Sequence, residues 1–210
     1  MVDSTFATPF LQRPLELGAD VVMHSATKYL SGHSDVISGL LATRRDDLEE
    51  KLRFHQNAAG AVPSPFDCWL VLRGMRTLAI RMDRACANAA VIAAWLTGRS
   101  EVSAVHYPGL ADHPQRDLVE RQMRLPGAML SFQLAGGAAE ANRVAGATRI
   151  FTLAESLGAV ESLVEVPAVM THASVAGSPL EVPADLVRLS VGIEAAEDLV
   201  ADLEQALAAN

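Results

Sequence analysis

The sequence is short of cysteine, lysine, aromatic rings and net positive charge. Only Cys68 and Cys86 occur in 210 residues, so no disulfide framework staples the chain and no thiols stand at metal-ligand spacing. The two thiols are expected to be buried, in a reducing cytoplasm. Acidic residues outnumber basic ones 25 to 17, giving a formal net charge of −8. That deficit argues against a nucleic-acid partner, which needs a basic face, and leaves no basic patch for an anionic membrane. No apolar run reaches the ~18 residues that span a bilayer. Met1 to Phe10 has neither the charged start nor the apolar core of a signal peptide. Half the residues are apolar, enough for a chain of this length to bury a core of its own.

The lysine shortage is the sharpest of these. Against 15 arginines there are two lysines, Lys28 and Lys51. A guanidinium keeps its proton, whereas an ammonium can lose it and act as a nucleophile or base. A lysine kept where arginine fills nearly every cationic role is therefore a candidate for amine chemistry.

The hydrophobic pattern predicts alternating strands and helices, hence an α/β layer architecture. Val2 to Phe6 reads as a strand. Val21-Val22-Met23, after the turn Gly18-Ala19-Asp20, reads as a strand covered on both faces. Ser31 to Asp35 is a loop, and Val36 to Thr43 a strand in which Gly39 permits close backbone approach. Arg45 to His55 is a helix with its acids near the start. Phe66 to Leu96 is one bent helix or two, stopping near Thr97-Gly98. The domains are expected to be 1–97 and 98–210. In the second, Val102 to Tyr107, Ala128 to Leu134, Ile150 to Leu153 and Val187 to Val191 are strands. Gln115 to Arg124, Ala138 to Gly146 and Ala195 to Ala209 are helices.

The chemistry-bearing residues gather at His24-Ser25-Ala26-Thr27-Lys28-Tyr29. If the strand ends near Ser25, Lys28 lies just beyond its C-terminal end, where open α/β sheets bind ligands. Ser25 and Thr27 are two apart, so in extended backbone their hydroxyls share a face and can donate to one anion. Asp3 belongs to a neighbouring strand. An aspartate facing a pyridine nitrogen keeps that nitrogen protonated and makes the ring an electron sink. Taken singly, a loop lysine is ordinarily just solvated, Arg188 in a strand a surface ion pair, Glu155 a loop charge, and Ser156 turn chemistry. His24, His33 and His172 are scattered, with no carboxylate or thiol at ligand spacing, so no metal is expected.

Together the residues resemble a family. Val2-Asp3-Ser4-Thr5-Phe6-Ala7-Thr8-Pro9 comes first, with Gln12, Pro14, Leu15 and Gly18-Ala19-Asp20. Then come His24 to Tyr29, Gly32-His33-Ser34-Asp35-Val36 and Gly39. In register, these segments resemble the cofactor-lysine signature of the Cys/Met-metabolism enzymes that use pyridoxal phosphate (PLP), the cystathionine γ-lyase/γ-synthase group. The likeness continues through Pro65-Phe66-Asp67-Cys68-Trp69-Leu70, Tyr107-Pro108-Gly109-Leu110, Leu153 to Gly158, Met170 to Ser174 and Leu189 to Glu194.

The resemblance implies the C-terminal part of a PLP fold type I (aspartate aminotransferase-like) large domain, followed by a smaller α+β domain. It implies that Lys28 holds the cofactor as a Schiff base and then moves protons. Asp3 would pair with the pyridine nitrogen, and Ser25 and Thr27 would bind the phosphate. Arg188 would grip the substrate α-carboxylate with Ser156 assisting, and Glu155 would face the distal amino group of cystathionine. The implied reaction is γ-elimination on cystathionine, with γ-replacement on an O-acylhomoserine as the alternative. Full-length members are homotetramers acting on small sulfur amino acids. They carry a further N-terminal segment that supplies most phosphate donors and the ring stacked on the cofactor. A chain without it is expected to bind PLP weakly and to turn over poorly.

Overall fold

The structure, a computed structural model, describes residues 1–209. The chain divides into two compact units, Met1–Ile80 and Arg81–Asn210.

In the first unit, Val2–Asp3 (β1) runs into a short helix, Thr8–Leu11 (α1), opened by Pro9. A tight turn over Pro14–Leu17 stops at Gly18, whose φ of 96° suits a residue without a Cβ. Val21–Ser25 (β2) follows, then a single wide turn over Ala26–Leu30, and Gly39–Thr43 (β3). β2 is central: β1 pairs with it in parallel and β3 antiparallel, placing Asp3 opposite Met23 and Ser25 opposite Gly39. Two helices complete the unit, Asp46–Ala59 (α2) and Pro65–Met75 (α3). α2 starts on Asp46, Asp47 and Glu49, where the helix dipole favours acids, and ends at Gly60 in the left-handed region. The Ser64 side chain accepts the Asp67 N–H at 3.1 Å and Pro65 fills the first turn, fixing where α3 begins.

Three expectations change here. β2 is covered on one face only: Val22 and His24 are buried, while Val21, Met23 and Ser25 are half-buried. Met23 and Leu41 face an open cleft of about 790 Å³ that α2 bounds through Leu52 and Gln56. Gly39 is not crowded, since a Cβ there would meet only the His24 carbonyl at 3.6 Å. The crowded glycine is Gly74. Cys68 is exposed, because α3 turns Val71 and Gly74 inward and Phe66, Cys68, Trp69 and Leu72 outward.

The second helical stretch is a separate helix, Leu78–Leu96 (α4), within which the division of units falls. After it come Val102–His106 (β4), Arg116–Gln122 (α5), Met129–Leu134 (β5), Gly137–Ala147 (α6) and Thr152–Leu153 (β6). Leu163–Glu165 (β7), Pro167–Met170 (α7), Leu186–Ser190 (β8) and Ala196–Ala208 (α8) end the unit. The sheet order is β4-β5-β8-β7-β6, antiparallel except for the β6–β7 pair, so the second unit is α+β. Its core follows both periodicities. Leu130, Phe132 and Leu134 alternate inward along β5, and Leu199, Leu203, Ala206 and Leu207 form the inner stripe of α8. α6 packs on β5, β8 and α8. Among the described residues no helix is long and apolar enough to cross a membrane.

Candidate functional site

In the first unit, β2 delivers Ser25 to the sheet end and the wide turn presents Lys28. Lys28 breaks the helical path of that turn, with φ −88° and ψ −132°. The turn is closed by Ser31 N–H donating to the Ala26 carbonyl at 3.0 Å and Gly32 N–H to the Lys28 carbonyl at 2.8 Å. α3 backs it directly: a Cβ on Gly74 would stand 2.2 Å from the Ser31 carbonyl oxygen, so only glycine permits this approach.

Asp3 lies one strand away and exposed. Its Oδ1 accepts the Thr5 N–H at 2.9 Å, and Thr5 Oγ1 in turn accepts the Ser25 N–H at 2.8 Å. Thr5 thus ties the Asp3 carboxylate to the end of β2, a link the sequence reading passed over. The Ser25 hydroxyl has no hydrogen-bond partner among the described residues and is open to a ligand.

Thr27 differs from expectation. It lies past the strand, in the turn, so strand alternation does not apply to it. Its Oγ1 donates to the Ser38 carbonyl at 3.2 Å and accepts the Ser38 N–H at 3.0 Å. The hydroxyl clasps the loop leading to β3, and donating to an anion would mean turning away from Ser38.

His24 points to the covered face of β2. Burial pulls its pKa below the ordinary histidine value, against a hydrogen bond with the Ser4 backbone and the charge of Asp3. Its Nδ1 has no hydrogen-bond partner.

The other expected residues belong to the second unit. Arg188 sits mid-strand in β8, and its Nη2 donates to the Ser156 carbonyl at 2.9 Å. Ser156 holds a φ of 86°, in the left-handed region that is rare for residues other than glycine and asparagine. Ser156 and Arg188 are therefore in direct contact, through the serine backbone. Glu155, the residue before Ser156, is exposed on the same loop. The loop is fixed on both sides. Gly158 N–H donates to Ser190 Oγ at 2.8 Å, and Asp202 accepts the N–H groups of Arg149, Ile150 and Phe151 at 2.8, 2.8 and 3.0 Å.

One residue in this half escaped the sequence reading. Glu165 is opposite Arg188 across β7 and β8, with Oε2 3.0 Å from Nη2, and is only 1% exposed. Its signal was there: an acid inside the apolar run Leu163-Val164-Glu165-Val166 is misplaced unless a buried cation meets it.

The model of the Cys/Met metabolism PLP-dependent enzymes matches residues 1–208. The cystathionine γ-synthase of Mycobacterium tuberculosis is 56% identical over 207 residues, covering 99% of this chain and 53% of that protein. The cystathionine γ-lyase of Saccharomyces cerevisiae is 53% identical over 213 residues, covering 99% and 54%. The crystal structure of metB from Corynebacterium glutamicum superposes with a TM-score of 0.97 at 55% identity, covering 99% of this chain and 54% of that one. The chain spans about half the length of the curated relatives it matches.

Proposed function

The chain belongs to the Cys/Met metabolism PLP-dependent enzyme family, and from that premise we propose that it carries the C–Sγ chemistry of transsulfuration, eliminating at Cγ of cystathionine. The supporting observation is the placement of Lys28 just beyond β2, with Asp3 on the adjacent strand and tied to Ser25 through Thr5.

These residues fit pyridoxal phosphate in kind: an amine, a carboxylate one strand away, and a hydroxyl free to donate. When bound, the cofactor supplies an electrophilic aldehyde and a ring that takes up electron density from the amino-acid Cα. Lys28 Nζ would hold it covalently and, once released, carry protons to and from substrate carbon. Asp3 would accept the proton-bearing ring nitrogen as a hydrogen-bond donor, and the Ser25 hydroxyl would donate to the phosphate. Thr27 would contribute by clasping Ser38 and, on turning, as a second phosphate donor. Arg188 would take the substrate α-carboxylate, a task suited to a guanidinium fork. The Ser156 carbonyl would steady that guanidinium, and exposed Glu155 would meet the distal ammonium of the substrate.

A second reading, γ-replacement on an O-acylhomoserine, is favoured by the 56% identity to a γ-synthase against 53% to a γ-lyase. Two assays separate them. Elimination converts cystathionine and water to cysteine, ammonia and 2-oxobutanoate. Replacement joins cysteine to O-succinylhomoserine and releases succinate. The cofactor assignment has its own test, titration of the chain with PLP followed by absorbance. A weak band of lysine-bound cofactor is expected, abolished in Lys28→Ala. A band of equal strength in that variant would remove Lys28 from its role.

A further inference from the structure

The Arg188–Glu165 pair is lopsided in a way that assigns its members different tasks. The Arg188 side chain retains 19% exposure, whereas that of Glu165 has 1%. In an ordinary cross-strand ion pair both charges reach solvent, and the pair adds little. Here both side chains leave the same face of the sheet, but the acid is enclosed and only the guanidinium keeps contact with solvent. A carboxylate so buried is kept only against a paired charge. Glu165 is also held from its other side, since Thr171 Oγ1 donates to its Oε1 at 3.2 Å.

The Arg188 donors divide accordingly. Nη2 is taken by the Ser156 carbonyl at 2.9 Å and lies 3.0 Å from Glu165 Oε2, a contact that is an ion pair rather than an aligned hydrogen bond. Nε and Nη1 have no partner among the described residues. The guanidinium is therefore gripped at one nitrogen, from β7 and from the Ser156 loop, with two donor nitrogens left for a ligand.

We propose that Glu165 is a positioning residue for Arg188, holding the guanidinium in one orientation so that an unpartnered N–H edge, at Nε or at Nη1, stays turned to a carboxylate oxygen, with Thr171 fixing Glu165 in turn. The proposal rests on the reading that Arg188 receives the substrate α-carboxylate. Glu165 touches no substrate and acts only through Arg188.

The test uses the full chain labelled with nitrogen-15. Arg188 Nε–H is identified by its disappearance in Arg188→Lys, and its hydrogen exchange is measured in wild type, Glu165→Gln and Thr171→Ala. Glu165→Gln keeps the side-chain volume and removes the charge. It should speed Nε–H exchange severalfold, because the lost charge lies 3.0 Å from Nη2 of the same guanidinium and not on Nε itself. Thr171→Ala should give a smaller acceleration in the same direction. Because Thr171 is exposed, that variant folds even if the glutamine does not and decides the matter alone. A lower melting temperature with unchanged Arg188 exchange in both variants overturns the proposal and leaves Glu165 a purely structural residue. A propionate titration tests the underlying reading separately. Propionate should shift Arg188 Nε in wild type and shift it less in Glu165→Gln. No shift in wild type would remove Arg188 as a carboxylate site, while the exchange rates still judge Glu165.

Discussion

A histidine inside the sheet makes the first unit sensitive to pH. His24 is 6% exposed, and burial, the main cause, holds its folded pKa below the ordinary histidine value of about 6.5. Below that value the unfolded chain binds a proton that the folded chain resists. Stability is therefore unaffected well above pH 7 and falls as pH drops through about 6.5. Carboxylates add their own acid losses, so the observable is a difference. Between pH 8 and pH 5 the melting temperature of wild type should fall by more than that of His24→Leu. Parallel curves would mean that His24 is protonated equally in both states. The same scale shows what the sequence disclosed. In the sequence Lys28 stands out by the scarcity of lysine, and Asp3 only through the register of the family resemblance. Thr5 and Glu165 do not stand out, because their importance lies in which atom each one meets across a strand pair. The two-residue spacing of Ser25 and Thr27 misled for a related reason: alternation holds only while the backbone stays extended, and it stops at Ser25.

Among the elements, α3 bears on the site without contributing a functional group. It lies against the wide turn that presents Lys28, at a distance only Gly74 allows. Gly74→Ala forces a methyl to 2.2 Å from a backbone oxygen, which cannot move without shifting the turn. A cost of about 1–3 kcal/mol is expected for such overpacking. The more specific outcome is a loss of PLP absorbance at temperatures where circular dichroism shows the chain still folded. An unchanged cofactor titration in Gly74→Ala would show that α3 does not set the position of Lys28. Strand identities were mostly legible from period-two alternation, as along β5. β7 was not, because three residues, one of them a buried acid, carry too little pattern. The close α3 contact was equally hidden, since a glycine in a helix reads as a mere weak point until its neighbour is known.

Across the whole molecule, burial is shared unequally between the two units. No residue of α2 is buried, and Phe54, Phe66, Trp69 and Leu72 are exposed in the first unit. The second unit holds Phe132, Phe151, Met82, Ile92, Leu96, Leu199 and Leu203, all below 2% exposure. Since apolar burial is the main term opposing chain entropy, the first unit should open at lower denaturant than the second. The two tryptophans report on the units separately. Trp69 stacks on Phe66 in α3, with ring centroids 5.8 Å apart, and Trp95 lies in α4 with the Arg99 guanidinium 4.8 Å from its ring. In single-tryptophan variants, Trp69→Phe and Trp95→Phe, urea unfolding followed by fluorescence should give two midpoints. The one reported by Trp69 should lie lower by about 1 M or more. Coincident midpoints would show that the chain unfolds as one cooperative body and that its exposed apolar face costs it no local stability. A lower first midpoint would tie cofactor binding at Lys28 to the weaker unit. PLP would then raise the Trp69 midpoint and leave that of Trp95 in place, as mass action requires of a ligand bound to one unit alone.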